Sequence, residues 1–548
     1  MKTKIILFLI LIFAFSLRLY GINWDQGFHL HPDERMLIMV ADRINFFKNL
    51  NPDFFNYGSL PIYLLKGSAQ LIGQVFKKNL ANYADMLDIG RKMSVFFDLV
   101  VILLIYKISR LLFTKEKIAL LSSFFYTIIF FAIQNSHFFV VDVPLNTFIT
   151  GLIYTSLVYL KSPSIKKMVI ISVLFAAMMA TKFTALIFSP VILLVIFFVN
   201  KYSWKRVIIH FFIFVFLFLS FYYLFMPYAF IENKRFINDI KQQLTMNSNP
   251  YIFPYTLQYV GTLPYLYYLK NIFLWGMGPI ISILSITGLL SLRAKRSNLF
   301  LFLIFYFFYF LIVGRSAVKF MRYMLPLYPF FAILAGYGLY QIQKLKFKSQ
   351  NYNSKLKSFF TFNFSLKLLP FAFLLLTFLW TLMFVNIYSQ PNTRISATDW
   401  IIKNIPAGST LAIEHWDDGL PLYGGENYKF EELTLYDQPD DEAKWQILNE
   451  KLKKTDYIII ASNRLYVPLQ KLSDCKKYKS CYPKTAEYYQ KLFNNQLSFK
   501  KVAEFSSYPQ LKIGPPAGGW KFEINDDSAD ESFTVYDHPK IIIFKKNG

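Results

Sequence analysis

The chain has 548 residues, of which 55% are hydrophobic and 19% aromatic, and its mean hydropathy is +0.34. These values exclude an ordinary soluble protein and predict many membrane spans. The net charge of +25 could indicate a nucleic-acid partner, but residues 1–388 carry 38 basic and 12 acidic side chains, whereas residues 389–548 carry 21 and 22. The basic residues therefore belong to short loops of a membrane part surrounded by lipid, which excludes nucleic acid as the partner.

Eleven apolar runs follow one another in residues 1–388 and are predicted to be membrane spans. They cover 5–20, 93–113, 118–135, 143–160, 168–181, 184–200, 207–226, 271–291, 299–313, 324–342 and 368–388. A span needs about 20 residues, so the ends given for the shorter runs are approximate. The first run also fits a signal peptide cut near Ala14-Phe15-Ser16, but it continues into Leu17-Arg18-Leu19-Tyr20, which favours a retained span.

The basic loops predict the orientation of the spans. These loops are 115–117, 161–167, 201–206, 293–296 and 344–367. We place them and the N-terminus on the cytoplasmic side of the cell (plasma or inner) membrane. The run 168–200 has basic loops on both sides, and as one helix it would reach about 50 Å across a core of roughly 30 Å. We therefore expect a turn near Thr181–Thr184, and this turn places the C-terminus outside.

The first outer loop, 21–92, is predicted to contain two helices. The first covers 32–48 and is expected to lie in the membrane interface as an amphipathic helix, and the second covers 60–76. The apolar face of the first helix would hold Met36, Val40, Ile44 and Phe47.

Residues 389–548 are predicted to form a small extracytoplasmic α/β domain, separate from a transmembrane domain over 1–388. Its strands are predicted at 409–414, 456–462, 498–505, 532–536 and 540–544, and its helices at 398–404 and 483–494. Cys475 and Cys481 are the two cysteines of the chain. The sequence is compatible both with a local disulfide between them and with two unrelated thiols. The predicted fold class is therefore mainly α, a polytopic membrane protein of about eleven transmembrane helices with a C-terminal α/β domain.

Two adjacent carboxylates, Asp33 and Glu34, follow the first span within the segment Phe28–Arg35. Ionisable groups at a membrane are costly and are functional candidates by default. Proline at the first helical position and acids in the first turn are also ordinary helix-start signals, so a purely structural interpretation stays open. That interpretation does not explain why the helix begins at the membrane surface directly after a span.

Other polar side chains reach the same outer side in the predicted topology. They are His137, Asp142, Lys182, Lys319, Arg322 and Tyr323. Each of them alone is more typical of an interfacial anchor, but several beside two carboxylates indicate a site. The acidic runs Asp440–Glu442 and Asp526–Asp527 are more typical of solvated surface than of metal ligands.

These groups suit one class of reaction. A carboxylate can act as a general base on a hydroxyl, and Arg and Lys bind phosphate by charge-assisted hydrogen bonds. A sugar linked to phosphate has a good leaving group, so no strong general acid is needed. Nucleotide sugars are absent outside the cell and the chain has no Gly-rich phosphate loop, which together indicate a lipid-linked donor.

Several short motifs match one group of enzymes. They are Asp33-Glu34, His137 with Asp142 and Pro144, Ala180-Thr181-Lys182, Arg322-Tyr323 with Leu325-Pro326, and the tail segments Asn392–Trp400 and Glu414–Asp417. In this order and on one side of the membrane, they resemble the GT-C membrane glycosyltransferases over nearly the whole chain. The protein O-mannosyltransferases and the lipid A aminoarabinose transferases are the nearest groups, and the tail looks like that of phospholipid-carrier-dependent bacterial members.

The resemblance implies a GT-C fold and an inverting transfer of a hexosyl or pentosyl group from a polyprenyl-phosphate carrier to a hydroxyl of a lipid, glycan or protein. It implies that Asp33 is the base and that Glu34 orients the loop or Asp33. It also implies that Arg91, Lys182 and Arg322 bind the carrier phosphate. Related enzymes differ in metal dependence, so no metal is assigned and a divalent ion stays open. The tail lacks a clear motif of the mannosyltransferase accessory domain, which disfavours a protein acceptor.

Two other functions compete with the transferase. A transporter or flippase of a lipid-linked solute tends to show paired repeats of broken helices, and only the run 168–200 is a candidate. A polysaccharide ligase or polymerase would use a similar donor at a different site. The aromatic loop Tyr251–Tyr268 is predicted either to stack on sugar or, by a slight preference, to lie at the lipid headgroups.

Overall fold

The computed structural model describes residues 2–200, 203–292, 297–344, 362–513 and 519–547, and this part of the chain is mainly helical. Its α-helices are α1 (Lys2–Leu19), α2 (Pro32–Arg43), α3 (Ser59–Phe76), α4 (Tyr83–Phe113), α5 (Glu116–Thr127), α6 (Phe130–Ser136), α7 (Asp142–Lys161), α8 (Ile165–Met179), α9 (Ser189–Val199), α10 (Trp204–Phe225), α11 (Tyr228–Ile231), α12 (Asn233–Ser248), α13 (Leu266–Asn271), α14 (Gly278–Leu290), α15 (Ser297–Val313), α16 (Tyr328–Lys344), α17 (Phe362–Val385), α18 (Thr393–Asn404), α19 (Glu442–Lys454), α20 (Tyr466–Lys471), α21 (Pro483–Phe493) and α22 (Glu531–Thr534). Its strands are β1 (Thr410–Glu414), β2 (Lys429–Leu433), β3 (Tyr457–Ile460), β4 (Phe499–Phe505), β5 (Gln510–Ile513), β6 (Trp520–Glu523) and β7 (Ile541–Lys546). The predicted basic loop 293–296 and most of the loop 344–367 lie outside the described residues.

The eleven predicted apolar runs each coincide with helical residues, from α1 to α17. By length and composition, four helical segments of the described residues can cross a bilayer, namely Asp142–Lys161, Trp204–Phe225, Met321–Lys344 and Phe371–Asn404. Helices α5 and α6, bent by 59°, would make a fifth span, and α14 and α15 are apolar but shorter. The helical membrane fold is therefore present as predicted, while the number of eleven spans stays a prediction.

The turn predicted within the run 168–200 is present, since a short 3-10 helix separates α8 from α9. The backbone before α3 holds this turn, because the Gly58 N–H donates to Thr181 O at 3.0 Å. A β-carbon at Gly58 would lie 1.9 Å from Ala180 O, so this close approach requires glycine. The contact fixes the position of Lys182, the residue that follows the turn.

Helices α2 and α3 lie within residues 21–92 as predicted, but α2 ends at Arg43 rather than at 48, and its predicted apolar face is buried only in part. Of the predicted face, Val40 and Ile44 are buried, whereas Met36 is 43% exposed and Phe47 is 79% exposed. The side chains of Glu34, Leu37, Ile38 and Ala41, which were not part of that face, are buried too. The reason lies in the tertiary packing. Because α2 packs against α3 and α4, the side facing them is buried even where it carries a carboxylate.

Five strands of the C-terminal part form one sheet in the order β2-β1-β3-β7-β4. Strand β1 is parallel to β2 and β3, and β7 is antiparallel to β3 and β4. In β7, Ile541 and Ile543 share a core with α18, while Ile542 and Phe544 share a core with α19 and α21. Successive strand residues point to opposite faces, so this apolar run is buried on both sides. The α/β character of the tail is therefore as predicted, with helices on both faces of the sheet.

Two local predictions for the tail have different outcomes. Cys475 and Cys481 form a disulfide. The strand predicted over 532–536 is wrong, because these residues belong to the short helix α22 and the turn after it. The Asp530 side chain caps this helix by accepting a hydrogen bond from the Ser532 N–H at 2.9 Å. Its apolar residues are buried by contacts outside the sheet, which a strand pattern cannot distinguish from burial within one.

The segment 526–538 packs onto the membrane helices. Phe533 contacts the rings of Phe130, Phe131, Trp275 and Phe384. Asp537 accepts hydrogen bonds from Gln134 Nε2 at 3.0 Å and from the Tyr388 hydroxyl at 2.7 Å. The tail therefore contributes side chains to one end of the helical part.

The Glu414 carboxyl is buried at the end of β1, where the Tyr489 hydroxyl donates to it at 2.6 Å. Burial raises its pKa from 4.5 to about 8, so between these pH values the folded protein holds one proton more than the unfolded chain. The stability from this group is therefore full below pH 4.5 and is expected to fall as the pH rises towards 8, by roughly 1 kcal/mol per pH unit. Thermal unfolding midpoints of the purified full chain near pH 5 and pH 8 measure this dependence.

Glu414→Gln supplies a neutral side chain of the same shape, so the difference between the two midpoints should shrink in this variant. Glu426→Gln is the matched control, because Glu426 is exposed in the same part of the chain. An equal pH dependence in wild type and Glu414→Gln would show that the Glu414 carboxyl does not titrate between pH 5 and pH 8.

Candidate active site

One large cavity lies where α2, the turn after α8, α12 and the C-terminal tail meet. Its volume is about 360 Å³. Its polar wall carries Asp33, Tyr57, Lys182, Arg322, Tyr323 and Tyr536. Its apolar wall carries Phe55, Phe183, Phe236, Ile240 and Leu244. A cavity lined by both charged and apolar side chains suits a ligand that joins a charged group to a hydrocarbon chain.

Asp33 presents its carboxylate to this cavity. Pro32 is the first residue of α2, which places Asp33 in the first helical turn. The side chain is 23% exposed, and its Oδ2 lies 2.6 Å from Arg322 Nη1. Arg322 Nη1 also lies 3.4 Å from the Tyr536 hydroxyl. Asp33 therefore stands beside a cation and remains open to a ligand in the cavity.

Two cations of the polar wall share a buried carboxylate. Lys182 Nζ lies 2.8 Å from Asp142 Oδ1, and Arg322 Nε lies 3.7 Å from Asp142 Oδ2. Lys182 also lies over the ring of Tyr323, 4.5 Å from its centre, and the Tyr323 hydroxyl donates to Asn247 Oδ1 at 3.0 Å. Asp142 itself is buried behind the wall. The shared partner keeps the two positive charges close together, which is the arrangement that an anion needs.

Tyr57 is a residue of the polar wall that was not predicted. Burial, together with the negative charge of Asp33, raises the pKa of its hydroxyl well above the usual value of 10. The same two causes raise the pKa of Tyr255, on the rim of the cavity, to about 12. Both phenols therefore stay protonated at neutral pH and can donate hydrogen bonds into the cavity.

Glu34 and Arg91 do not reach the cavity, because they form a buried cluster with Asp25. Arg91 Nε and Nη2 lie 2.9 and 2.7 Å from the Glu34 oxygens, and Nη1 and Nη2 lie 2.9 and 2.8 Å from the Asp25 oxygens. The remaining N–H donates to Ile22 O at 2.9 Å. All five guanidinium N–H groups are thus occupied, which corrects the prediction that Arg91 binds the phosphate.

This cluster sets the direction of Asp33. Neighbouring residues of a helix lie about 100° apart, so the burial of Glu34 on Arg91 turns Asp33 towards the cavity. Asp25, which was not predicted, also accepts hydrogen bonds from the Gly27 and Leu30 N–H groups and thereby closes the loop that leads into α2. The orienting role predicted for Glu34 fits this geometry.

His137 and Lys319 also lie outside the cavity. The two ring nitrogens of His137 each lie 2.8 Å from a backbone carbonyl, those of Ile133 and Tyr20, and the ring stacks on Tyr388. Lys319 is buried, and its Nζ donates to Ala317 O at 3.0 Å. The structure therefore does not bring these two side chains to Asp33, and it gives them local structural partners instead.

The C-terminal tail supplies residues to the cavity that the motifs did not indicate. Arg464 and Glu531 both line it, with Arg464 Nε 2.8 Å from Glu531 Oε1. Glu531 begins α22, directly before the segment predicted as a strand, and the sequence carries no signal that this helix faces the membrane part. In the described ranges, no group of three or more His, Cys, Asp or Glu side chains is arranged to hold a metal ion.

A model of the family described as dolichyl-phosphate-mannose-protein mannosyltransferase matches residues 88–228. The chain is similar to the GT-C membrane glycosyltransferases. This similarity confirms the resemblance predicted from the motifs. The matched residues include Asp142 and Lys182, whereas Asp33 and Arg322 lie outside them. No curated protein sequence matches the chain.

Solved structures extend the comparison to most of the chain. The oligosaccharyltransferase of Archaeoglobus fulgidus in the apo form is 13% identical with a TM-score of 0.53, over 96% of this chain and 75% of that chain. ArnT from Cupriavidus metallidurans bound to undecaprenyl phosphate is 13% identical with a TM-score of 0.46, over 85% of this chain and 94% of that chain. At this identity, the likeness to the archaeal enzyme is one of fold.

Proposed function

We propose that the protein transfers a hexosyl or pentosyl group, with inversion, from a polyprenyl-phosphate carrier to a hydroxyl acceptor at the extracytoplasmic face of the cell membrane. One observation carries this proposal. Asp33, Lys182 and Arg322 line one cavity whose lining also includes a set of apolar side chains. The family that matches residues 88–228 is described by a donor of this kind, a mannose on dolichyl phosphate.

The reaction needs a base, a clamp for the leaving phosphate and a place for the carrier chain. Lys182 and Arg322 hold the carrier phosphate, and the apolar wall takes the first part of the hydrocarbon chain. When Arg322 turns to the phosphate, it releases Asp33. Asp33 then accepts the proton of the acceptor hydroxyl while that oxygen bonds to the anomeric carbon.

The carbon–oxygen bond to the phosphate breaks in the same step, and the phosphate leaves with the electron pair as a stabilised anion. Attack from the side opposite the phosphate inverts the anomeric configuration. The Tyr57 hydroxyl, which stays protonated, donates a hydrogen bond within the cavity. The products are the glycosylated acceptor and the free carrier phosphate.

The proposed topology follows from the placement of the polar wall. We propose that residues 1–388 are the catalytic transmembrane domain, that residues 389–548 are an extracytoplasmic domain, and that the N-terminus is cytoplasmic. Helix α4 supports this arrangement, since Arg91 near its start is tied to α2, whereas the basic residues at 115–117 follow its other end. The eleven proposed spans connect the two sides.

Lys182→Met is expected to raise the KM for the donor by about 10- to 100-fold, because it removes one charged hydrogen bond to the phosphate. The assay incubates the purified full chain in lipid nanodiscs with polyprenyl-phosphate hexose or pentose and an extract of cell-surface lipids and glycans. It measures the release of free polyprenyl phosphate. Wild type should release it in proportion to the glycosylated product.

Lys319→Met is the matched control, since Lys319 is a buried lysine on the same side that lies away from the cavity. Its donor KM should equal that of wild type. The proposed function fails if wild type releases no carrier phosphate above a protein-free blank. An equal change of KM in both lysine variants would remove Lys182 from the phosphate clamp.

A further inference from the structure

A row of aromatic rings leads from the cavity to the outer surface. Arg322 lies over the ring of Phe320 at 4.8 Å, and Phe320 lies 6.2 Å from Tyr255. Tyr255 stacks on Phe253 at 5.2 Å, and Phe253 meets Trp416 edge-on at 6.2 Å. Tyr255 lines the cavity, whereas Trp416 is 41% exposed. We call these four rings the aromatic row, and it connects a cation of the cavity to the protein surface.

The exposed end of the aromatic row is held in a strained backbone conformation. Trp416 has a φ of 79°, in the left-handed region that bulky residues rarely adopt. Its carbonyl accepts a hydrogen bond from Arg464 Nη1 at 3.2 Å, and the next residues, Asp417 and Asp418, lie 3.7 and 3.4 Å from the buried Arg394. Strain of this kind persists where the surroundings enforce it, and it clusters at functional sites. The strain therefore points to a use for the exposed indole.

Polar side chains border the aromatic row. Arg464 Nε lies 2.8 Å from Glu531 Oε1, and Gln258 Nε2 donates to Glu531 Oε2 at 3.1 Å. Tyr255, Arg464 and Glu531 line both the large cavity and an adjoining cavity of about 40 Å³. Asn463 and Gln258 also line the adjoining cavity, so polar side chains border the aromatic row there.

We infer that the aromatic row is the acceptor site and that the acceptor is a carbohydrate. A sugar ring has an apolar face of C–H groups, which packs on aromatic rings, and a rim of hydroxyls, which donate and accept hydrogen bonds. The row offers both kinds of partner at once, aromatic faces beside a guanidinium, a carboxylate and two amides. The claim that the bound saccharide is the acceptor rests on the proposed function. The claim that a saccharide binds here rests on the aromatic row alone.

A peptide fits these groups less well. An extended peptide is held mainly through its main chain at the edge of a sheet, or by pockets for its side chains. Here the polar partners are side chains, and two of them, Arg464 and Glu531, also line the cavity that holds Asp33. A chain of linked sugars can therefore lie along the row with its terminal hydroxyl at Asp33.

Saturation-transfer NMR of the purified full chain in nanodiscs tests this inference. The probes are methyl mannoside, cellobiose, chitobiose and maltotriose, and a serine- and threonine-rich peptide serves as the protein probe. At least one saccharide should bind wild type, and Trp416→Ala should weaken that binding at least tenfold. Trp416→Phe should retain part of it. Asp33→Asn should bind the saccharide as wild type does, so loss of catalysis and loss of the saccharide site are separate results.

Trp520→Ala is the matched control, because Trp520 is 77% exposed on the hairpin of β5 and β6 and is not part of the row. Its saccharide binding should be unchanged. If Trp416→Ala does not fold, Phe253→Ala removes the neighbouring ring and should also weaken binding at least tenfold. Three results would overturn the inference, namely no binding by any saccharide, saccharide binding that survives the loss of both rings, and binding of the peptide alone.

Discussion

Replacing Asp33 by asparagine is expected to lower the rate of sugar transfer by about 10³-fold. The amide keeps the shape of the side chain but cannot take the proton from the acceptor hydroxyl. Arg322 retains Asp142 as a partner at 3.7 Å, and Lys182 retains it at 2.8 Å, so the phosphate clamp stays in place. The KM for the donor should therefore change little while kcat falls. Initial rates of carrier-phosphate release at varied donor concentration measure both quantities.

Asp42→Asn is the matched control for this experiment. Asp42 is exposed on the same helix, α2, on a side that does not line the cavity. Its variant should have the wild-type rate, which separates the loss of a base from damage to the helix. An Asp33→Asn rate within tenfold of wild type, in a folded protein, would remove Asp33 from the role of base.

Replacing Arg91 by methionine is expected to destabilise the folded protein by about 3–5 kcal/mol or to prevent its accumulation. Arg91 is 1% exposed, and it alone separates the buried carboxylates of Asp25 and Glu34. Without it, two negative charges would face each other away from water. The thermal unfolding midpoint and the yield of folded protein measure this effect. If Arg91 only bound the phosphate, its replacement would change the KM for the donor and leave both the midpoint and the yield unchanged.

Two variants test this explanation. Lys92→Met is the matched control, since Lys92 is the next residue of α4, is 58% exposed in its side chain and pairs with Asp88 at the surface. Lys92→Met should lower the free energy of unfolding by less than about 1 kcal/mol. The triple variant Asp25→Asn, Glu34→Gln, Arg91→Met removes all three charges and should recover most of the lost stability. A triple variant as unstable as Arg91→Met would mean that burial of charge is not the cause.

The adjacent acids of α2 illustrate how one motif divides into two roles. Glu34 is fully buried on Arg91, and Asp33, one residue earlier, faces the cavity. The motif indicated that both acids belong to the site. The helical rotation between them, with the fixed position of Arg91, decides which one a substrate can meet.

The helices were the most predictable part of this protein. Apolar runs mark them because a chain in lipid must satisfy its backbone hydrogen bonds within each segment. The same physics predicted the turn in the run 168–200, since basic residues at both ends exclude a single crossing. The order of short motifs was also enough to indicate Asp33, Lys182 and Arg322, which the structure places on one cavity wall.

Three of the predictions that failed did so because the outcome depended on distant parts of the chain. The buried side of α2 was predicted only in part, residues 532–536 were taken for a strand, and Arg91 was assigned to the phosphate. In each case the deciding partner is remote in sequence. Glu34 stands 57 positions from Arg91, and Gln258, which binds Glu531 at the start of α22, stands 273 positions from it.

The sequence by itself determined the membrane character, the helices and the kinds of charged group in the segments between the apolar runs, because hydropathy and charge density act locally along the chain. Only the tertiary structure decided which of those charges is available to a ligand. The fold brings carboxylates to all three cations, but it encloses Arg91 between Asp25 and Glu34, whereas Lys182 and Arg322 line a cavity that a ligand can enter.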